Sequence, residues 1–497
     1  GSAQSVRVTA GGALARGPRV ANQLGSGGPA IGIRKGDKAM TERTATLEST
    51  LSALAAAKKY SALREVLITM NPSDIAYVFD ELGEKLLPLL FRLLPKELAA
   101  ESFVEMDSDL QELLIRGFSD SELKAVVNEM YIDDAVDLVE EMPANVVKRI
   151  LQQADPDTRK LINEILKYPE DSAGSIMTTE YVDLRPDMTI REAEDHIRRT
   201  GIDKETINTC YVTDRSKRLI GAISIRTIIL SDPDAYVCDK MESNVISVTT
   251  TQDKEEVALM ISKYNFDAMP VVDKENRLVG IVTFDDAFEV ITEEATEDIE
   301  KMAGMTPSEK PYLKTEVYRL WLNRIPWLLL LMISATFTGL IITNYEHALA
   351  AQVALMSFVP MLMDTGGNSG SQSSVTAIRN LSLNEIQFSD LLRVVWKEVR
   401  VSLFCGVTLA IAGFCKIMLV DRLILQNYSV TVPVALVVSI TLVVVVLVAK
   451  VIGCVLPMVA AKVGFDPAVM ASPIITTALD ALTLLIYFRI ATLILRI

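Results

Sequence analysis

Apolar positions follow three different patterns along this chain. From residue 44 to 168 they recur every third or fourth position in short runs, such as Leu51, Leu54, Ala55, Leu63, Val66 and Leu67, then Leu86, Leu87, Leu90, Leu93 and Leu94. That spacing predicts short amphipathic helices with one buried stripe each. Asn71-Pro-Ser-Asp, Leu94-Pro-Lys-Glu and Met142-Pro-Ala-Asn punctuate the runs, with proline where a first helical turn accepts it. Repeated helix–turn units of this kind predict a small all-α superhelix, assigned to residues 41–172.

From 173 to 291 the pattern changes to short strand-like runs and repeats itself with a period of about 60 residues. Ile176-Met177-Thr178, Thr189-Ile-Arg-Glu-Ala193 and Val212-Thr-Asp214-Arg-Ser-Lys-Arg218-Leu-Ile-Gly221 form the first copy, about 173–232. Lys240-Met241-Glu242, Lys254-Glu-Glu-Val-Ala258 and Val272-Asp273-Lys-Glu-Asn-Arg277-Leu-Val-Gly280 form the second, about 233–291. The Asp-x-x-x-Arg-Leu-apolar-Gly element predicts a turn between two strands. The tandem closely resembles a pair of cystathionine-β-synthase-type (CBS) domains, which serve as regulatory modules. Residues 292–318 carry Glu293-Glu-Ala-Thr-Glu-Asp298-Ile and then a helical pattern, expected to connect this pair to the apolar region beyond residue 319.

In that region the pattern becomes continuous. Apolar spans at about 325–344, 348–376, 398–420, 431–460 and 468–495 are each long enough to cross roughly 30 Å of hydrocarbon. Lys314, Arg319 and Arg324 precede the first span, and the next loop, Asn344-Tyr-Glu-His347, has no basic residue. Arg379, Arg393, Lys397 and Arg400 crowd the loop after the second span. Lys416, Arg422 and Lys462 blur the bias without reversing it. It predicts five spans in the plasma membrane, with the N-terminal domains in the cytoplasm and the C-terminus outside.

Charge sharpens this division. The net charge is −15, yet the first forty residues and the span region are both positive, so residues 41–318 carry about −24. So acidic a middle argues against nucleic acid and anionic membrane surfaces as its partners, and suits multivalent cations. Five scattered cysteines with no CxxC pair give no zinc, iron–sulfur or disulfide signature. The two histidines, His196 and His347, sit in polar surroundings. No HExxH, GxSxG or Walker motif is present, which speaks against an enzyme. Residues 1–40, rich in Gly, Ala and Ser, read as an expression scar ending near Met40, with no signal peptide ahead of the soluble region.

The most informative residue is Asp480, inside Ile474-Ile-Thr-Thr-Ala-Leu-Asp480-Ala-Leu-Thr-Leu-Leu-Ile-Tyr487. A mid-membrane carboxylate is costly and marks an ion or proton path. Thr476 and Ser472 lie one and two turns before it on the same helix face. Met361-Leu-Met-Asp364-Thr-Gly366-Gly367-Asn368-Ser-Gly-Ser-Gln-Ser-Ser374 reads as a polar, glycine-rich break within another span, able to offer carbonyl and side-chain oxygens. The bland alternatives are an Asp480–Lys450 ion pair, close helix packing by the glycines, and a membrane-edge position for Asp364.

Taken in order, the acidic helical region, CBS pair, connecting helix and five spans resemble the MgtE family of Mg²⁺ channels. The motifs are Tyr168-Pro-Glu-Asp-Ser-Ala-Gly-Ser-Ile-Met177-Thr-Thr-Glu180, Glu294-Ala-Thr-Glu-Asp298-Ile, Pro360-x-x-x-Asp-Thr-Gly-Gly-Asn368-x-Gly-x-Gln372-Ser and Asp466-Pro-Ala-Val-x-x-x-Pro473-x-x-x-Thr-x-x-Asp480. The resemblance implies a homodimeric, multidomain membrane protein with the ion path at the interface of two membrane domains. It implies Mg²⁺ both as permeant ion and as regulator. A hard ion that dehydrates reluctantly suits an outer-sphere site of one or two carboxylates and neutral oxygens. By resemblance, Asp480, Asp364, Gly366, Gly367, Asn368, Ser472 and Thr476 line the path. Asp133, Asp134, Asp137, Asp253, Glu255, Asp286, Glu289, Glu294, Glu297, Asp298 and Asp466 bind cytosolic Mg²⁺ and close the path when that ion is abundant. Some family members hold ATP in the first CBS domain through an aromatic residue and an Arg-Asp pair. Arg226 and Phe266 are the candidate nucleotide contacts here, but Thr227 and Thr209 replace the ribose-binding acid and the aromatic, which weighs against ATP. An ion-coupled carrier for Mg²⁺ or Co²⁺ is the competing mechanism.

Overall fold

The computed structural model describes residues 49–308, 312–470 and 472–496, so the segment read as an expression scar lies outside the described residues. The chain divides into two compact units, 1–130 with 134–160, and 131–133 with 161–497.

The first unit is helical. Its helices start where local chemistry permits: Asn71 precedes Pro72 at a first turn, and Ser119 accepts from the Glu122 amide while Glu122 accepts from the Ser119 amide at 2.8 Å. Such reciprocal capping satisfies two amides that a helix start otherwise leaves unpaired. Phe91, Phe103 and Phe118 fill the space between helices, with ring centroids 5.2 to 6.3 Å apart. Arg92 pairs with Glu122 at 2.7 Å, and its hydrogen bonds hold that carboxyl down at about 2. The acids Asp133, Asp134 and Asp137 lie on helix α1 (Ile132–Glu141), where Asp133 is buried and Asp137 exposed.

In the second unit, the repeat read from sequence is a repeat in space. Strands β1 (Asp183–Leu184), β2 (Thr209–Thr213) and β3 (Leu219–Ser224) form one sheet; β4 (Val248–Thr249), β5 (Ala268–Val272) and β6 (Leu278–Thr283) form the other. Each pairs its first two strands parallel and its last two antiparallel. The two hairpin turns are built alike. Asp214 Oδ1 accepts from the amides of Ser216 and Arg218, and Asp273 Oδ1 from those of Glu275 and Arg277, at 2.7 to 2.9 Å. The copies also cross. A side chain at Gly221 would stand 2.5 Å from Met241 Sδ of the second copy, and one at Gly280 would stand 2.8 Å from Met177 Sδ of the first. The recurring glycine and methionine are therefore two halves of one exchanged contact. Helix α2 (Ile190–Thr200) begins at Thr189 with a capping box, and α3 (Lys254–Tyr264) begins at Asp253, whose side chain accepts from the amides of Glu255 and Glu256. Asn265 closes α3 in the left-handed region, φ 56°, a conformation that asparagine tolerates better than most residues.

Helix α4 (Phe284–Met302) leaves the second copy and runs to the membrane-type helices. These are α5 (Val317–Asn344), α6 (Val359–Ser382), α7 (Leu391–Lys416) with a π-helical extension to Ile424, α8 (Val432–Val463) and α9 (Ser472–Leu495). Four of the helical stretches among the described residues are long and apolar enough to cross a membrane: 317–344, 388–424, 432–463 and 468–495. The region of the span expected at 348–376 holds a short helix (Glu346–Ala351), a 3-10 turn (Val353–Phe358) and the 24-residue α6, which is not among those four. Its glycine, serine and asparagine content dilutes the apolar signal.

The glycine-rich break expected at 364–370 is not a break. Helix α6 runs through it unbroken, because the glycines serve close packing. A side chain at Gly366 would meet Thr483 Oγ1 at 2.7 Å and Val445 at 2.9 Å, and one at Gly453 of α8 would overlap the carbonyl of Gly370. Small residues allow such backbone approach where lipid gives no hydrophobic drive to association. A Gly453→Ala variant should therefore be overpacked by about 1–3 kcal/mol. Its thermal midpoint in detergent is expected to fall, and a midpoint equal to that of the unmodified protein would mean the α6–α8 contact has slack.

Candidate metal sites in and below the membrane helices

Helix α9 packs against α6 and carries Asp480 half-buried. The charge that bears on Asp480 is that of Asp364 on α6. Asp364 and Asn368, one turn apart and both exposed, are joined by a hydrogen bond from Asn368 Nδ2 to Asp364 Oδ1 at 3.0 Å. Thr476 packs on Gly367, with its methyl 3.2 Å from where a side chain at that glycine would begin, and its hydroxyl donates to the Pro473 carbonyl at 3.0 Å. Gly366 and Gly367 are buried by this packing. The side chain of Ser472 lies outside the described residues. Lys450 is buried on α8, and among the described residues no ion pair joins it to Asp480. Its charge, like that of Glu398 on α7, reaches Cys454. Glu398 accepts from Ser373 Oγ at 2.6 Å. Along the packed helices α6 and α9 the chain thus carries two carboxylates, an amide oxygen and a threonine hydroxyl, hard oxygens of the kind Mg²⁺ prefers.

A second group forms where α4 reaches the ends of the membrane helices. Asp298 accepts from Ser382 Oγ at the end of α6 at 3.2 Å, and Met302 packs with Ile378 and Ala468. Lys301 Nζ lies 2.5 Å from Glu297 Oε1 and 2.7 Å from Asp466 Oδ2. Gly304, at φ 70°, sits so close to Pro473 at the start of α9 that a side chain would stand 3.0 Å from its ring. Glu255 of α3 feels Asp298, Asp253, Asp466 and Glu297, and Glu294 feels Glu255 and Glu297. Burial first, then these neighbours, pushes Glu255 up. Burial also leads for Asp298, with the Ser382 hydrogen bond opposing. Lys301 is raised well above its ordinary value: burial opposes, but the hydrogen bonds to Asp466 and Glu297 prevail. The expected acids Asp253, Glu255, Glu294, Glu297, Asp298 and Asp466 therefore come together. Asp286 is occupied otherwise. It caps α4 through Thr283, and burial pushes its carboxyl up. Glu289 lies on the exposed face of α4.

Glu294 is pushed up to about 7, by burial first and then by Glu255 and Glu297, against Lys254 and Lys301. Between its ordinary 4.5 and about 7 the folded protein binds a proton that the unfolded chain would release. Stability then falls as pH rises through this window. A cation at these carboxylates competes with that proton. The concentration of Mg²⁺ that half-protects the α4 region from protease should be higher at pH 6 than at pH 8. An equal or lower value at pH 6 would remove Glu294 from the cation-binding set.

One further acidic group escaped the sequence reading. One carboxylate oxygen each from Asp133, Glu180 and Glu205 lie within 4.8 Å of one another. Glu180 accepts from the Ile132 amide and Thr178 Oγ1, both at 3.1 Å, and burial pushes its carboxyl up. Glu180 ends the Met177-Thr-Thr-Glu motif, a usable signal, whereas Glu205 sits in a loop without pattern. Of the nucleotide candidates, Arg226 is exposed and Phe266 stacks on Tyr264 with centroids 5.5 Å apart.

Residues 359–490 match the family described as divalent cation transporter, 70–171 the MgtE intracellular N domain, and 173–233 and 237–293 the CBS domain. The architecture is thus that of a membrane transporter for divalent cations with a CBS pair in its cytosolic part. The magnesium transporter MgtE of Thermus thermophilus is 37% identical over 438 residues, covering 87% of this chain and 95% of that protein. That of Bacillus subtilis is 33% identical over 435 residues, covering 87% and 94%. A crystal structure of the cytosolic domain of the Mg²⁺ channel MgtE in complex with ATP is 36% identical, with a TM-score of 0.47, and covers 49% of this chain and 99% of its own. This chain belongs to the MgtE family of magnesium transporters.

Proposed function

We propose that this protein is a homodimeric, five-span Mg²⁺ channel of the plasma membrane, with its superhelical N-domain and CBS pair in the cytoplasm and its C-terminus outside. Cytosolic Mg²⁺ closes it. The domains assigned are 41–172, 173–291, 292–318 and 319–497. The path runs along Asp480, Asp364, Asn368 and Thr476. The observation that carries the gate is the acidic group joining α3, α4 and Asp466 at the foot of the membrane helices. Glu255, Glu294, Glu297, Asp298 and Asp466 repel one another across elements that must touch when α4 is docked. Bound Mg²⁺ supplies the positive charge that removes this repulsion. The same acids lose that compensation when the ion is scarce, and α4 then releases the ends of α6 and α9. A bistable element biased by a differentially bound ion needs no more than this. Hard carboxylate oxygens, several of them poorly hydrated, fit the ion. ATP plays no part in this reading.

The test is Mg²⁺ flux into proteoliposomes, with free Mg²⁺ on the sensor side stepped from micromolar to tens of millimolar. Flux should shut off as sensor-side Mg²⁺ rises. Flux indifferent to it removes the gate, and flux that requires a proton or Na⁺ gradient replaces the channel with the coupled carrier.

A further inference from the structure

The acidic group below the membrane helices already holds a cation of its own. Lys301, on the last turn of α4, places Nζ within 2.7 Å of Asp466 Oδ2 and 2.5 Å of Glu297 Oε1, so one ammonium spans the connecting helix and the membrane helices. It is only about a quarter exposed, and its two partners are about a third exposed. Lys254, the other ammonium whose charge reaches this group, points its Nζ to Asp171 at 3.6 Å. We infer that Lys301 is a tethered competitor for the regulatory divalent cation: with α4 docked it occupies Glu297 and Asp466, and it must leave at least one of them for the ion to bind.

The argument is one of charge and geometry, and it rests on the gate proposed above. An ammonium is a compact point charge on a flexible four-carbon stem, suited to release without backbone movement. Three donors on Nζ allow it to hold both carboxylates at once. Every carboxylate so occupied is one a hard divalent ion must win by exchange, so the lysine sets how much ion is needed. It lets the family's acidic gate respond at high cation levels without losing acids. Guanidinium would hold both carboxylates more rigidly and exchange less readily.

The experiment compares the full-length protein with Lys301→Met and Lys301→Arg. It reads the Mg²⁺ midpoint for protection of the α4 region from protease, and the midpoint for closing flux. Lys301→Met should lower both midpoints by about tenfold, since two carboxylates are freed. Lys301→Arg should leave them equal to wild type or raise them. A Lys301→Met midpoint equal to or above wild type, with wild type itself responsive, overturns the competitor and makes Lys301 a strut. A wild type with no Mg²⁺ response removes the gate, and this inference with it. Far-UV circular dichroism and elution volume identify a Met variant that has lost its fold. In that case a neutral Lys301→Gln variant, read the same way, decides.

Discussion

Asp480→Asn is expected to abolish most Mg²⁺ flux while leaving the protein folded. The side chain keeps its shape and volume, so the packing of α9 beside Thr476 and Leu479 is preserved. What is lost is a negative charge within an apolar helix, where an acid is costly to carry. A buried carboxylate costs a membrane helix several kcal/mol, by order of magnitude. Its neutral isostere should therefore fold at least as well. For the ion the sign is opposite. Charge-assisted contacts are worth about 1.5–3 kcal/mol each, and the homodimer proposed above would lose two of them, so a fall of two orders of magnitude or more is the natural scale. Asp364→Asn should cost less, because Asp364 lies at the exposed edge and is held by Asn368. Flux into proteoliposomes, with size-exclusion elution as the folding control, measures both. Asp480→Asn with wild-type flux would take the path away from α9.

Asp480 stood out in the sequence because a charge in that apolar run is costly, and the structure places it half-buried on a helix that packs against α6. The CBS pair was legible for a different reason: the aspartates of its two hairpin turns and the glycine after each recur at fixed offsets, and both have a backbone or packing role. The glycines of α6 misled. In water, Gly-Gly-Asn-x-Gly argues for a break, since each glycine weakens a helix. In a membrane the backbone has no other hydrogen-bond partner, so the helix persists and the missing side chains become contact surface against Thr483, Thr476 and α8. Lys301 was illegible for the opposite reason. A lysine four residues after Glu297 looks like an ordinary solvated helix pair. Its second partner, Asp466, lies far along the chain beyond four membrane-type helices, and only the fold brings it there. Glu205, from a patternless loop, joins Asp133 and Glu180 by the same kind of long-range accident.

Neutralising Glu255 and Glu294 together should uncouple transport from sensor-side Mg²⁺. These two approach each other from α3 and α4, and burial already disfavours their charge. In wild type the response is a difference. On the gate proposed above, their repulsion opposes docking of α4 without the ion and disappears with it. The Glu255→Gln/Glu294→Gln variant has neither the repulsion to relieve nor the two carboxylates to bind. At about 1.5–3 kcal/mol per charged contact, the surviving acids would need a cation concentration roughly a hundredfold or more higher. The ratio of flux at micromolar to flux at tens of millimolar sensor-side Mg²⁺ should fall toward one. Asp480 is untouched, so on the path proposed above flux at micromolar sensor-side Mg²⁺ should be retained. Glu293→Gln, at an exposed position of α4, is the control and should keep the full ratio. A double variant that shuts off at the wild-type midpoint would mean that this acidic group does not read the cytosolic ion. The response would then have to come from elsewhere in the chain, with Asp133, Glu180 and Glu205 as the next set to neutralise.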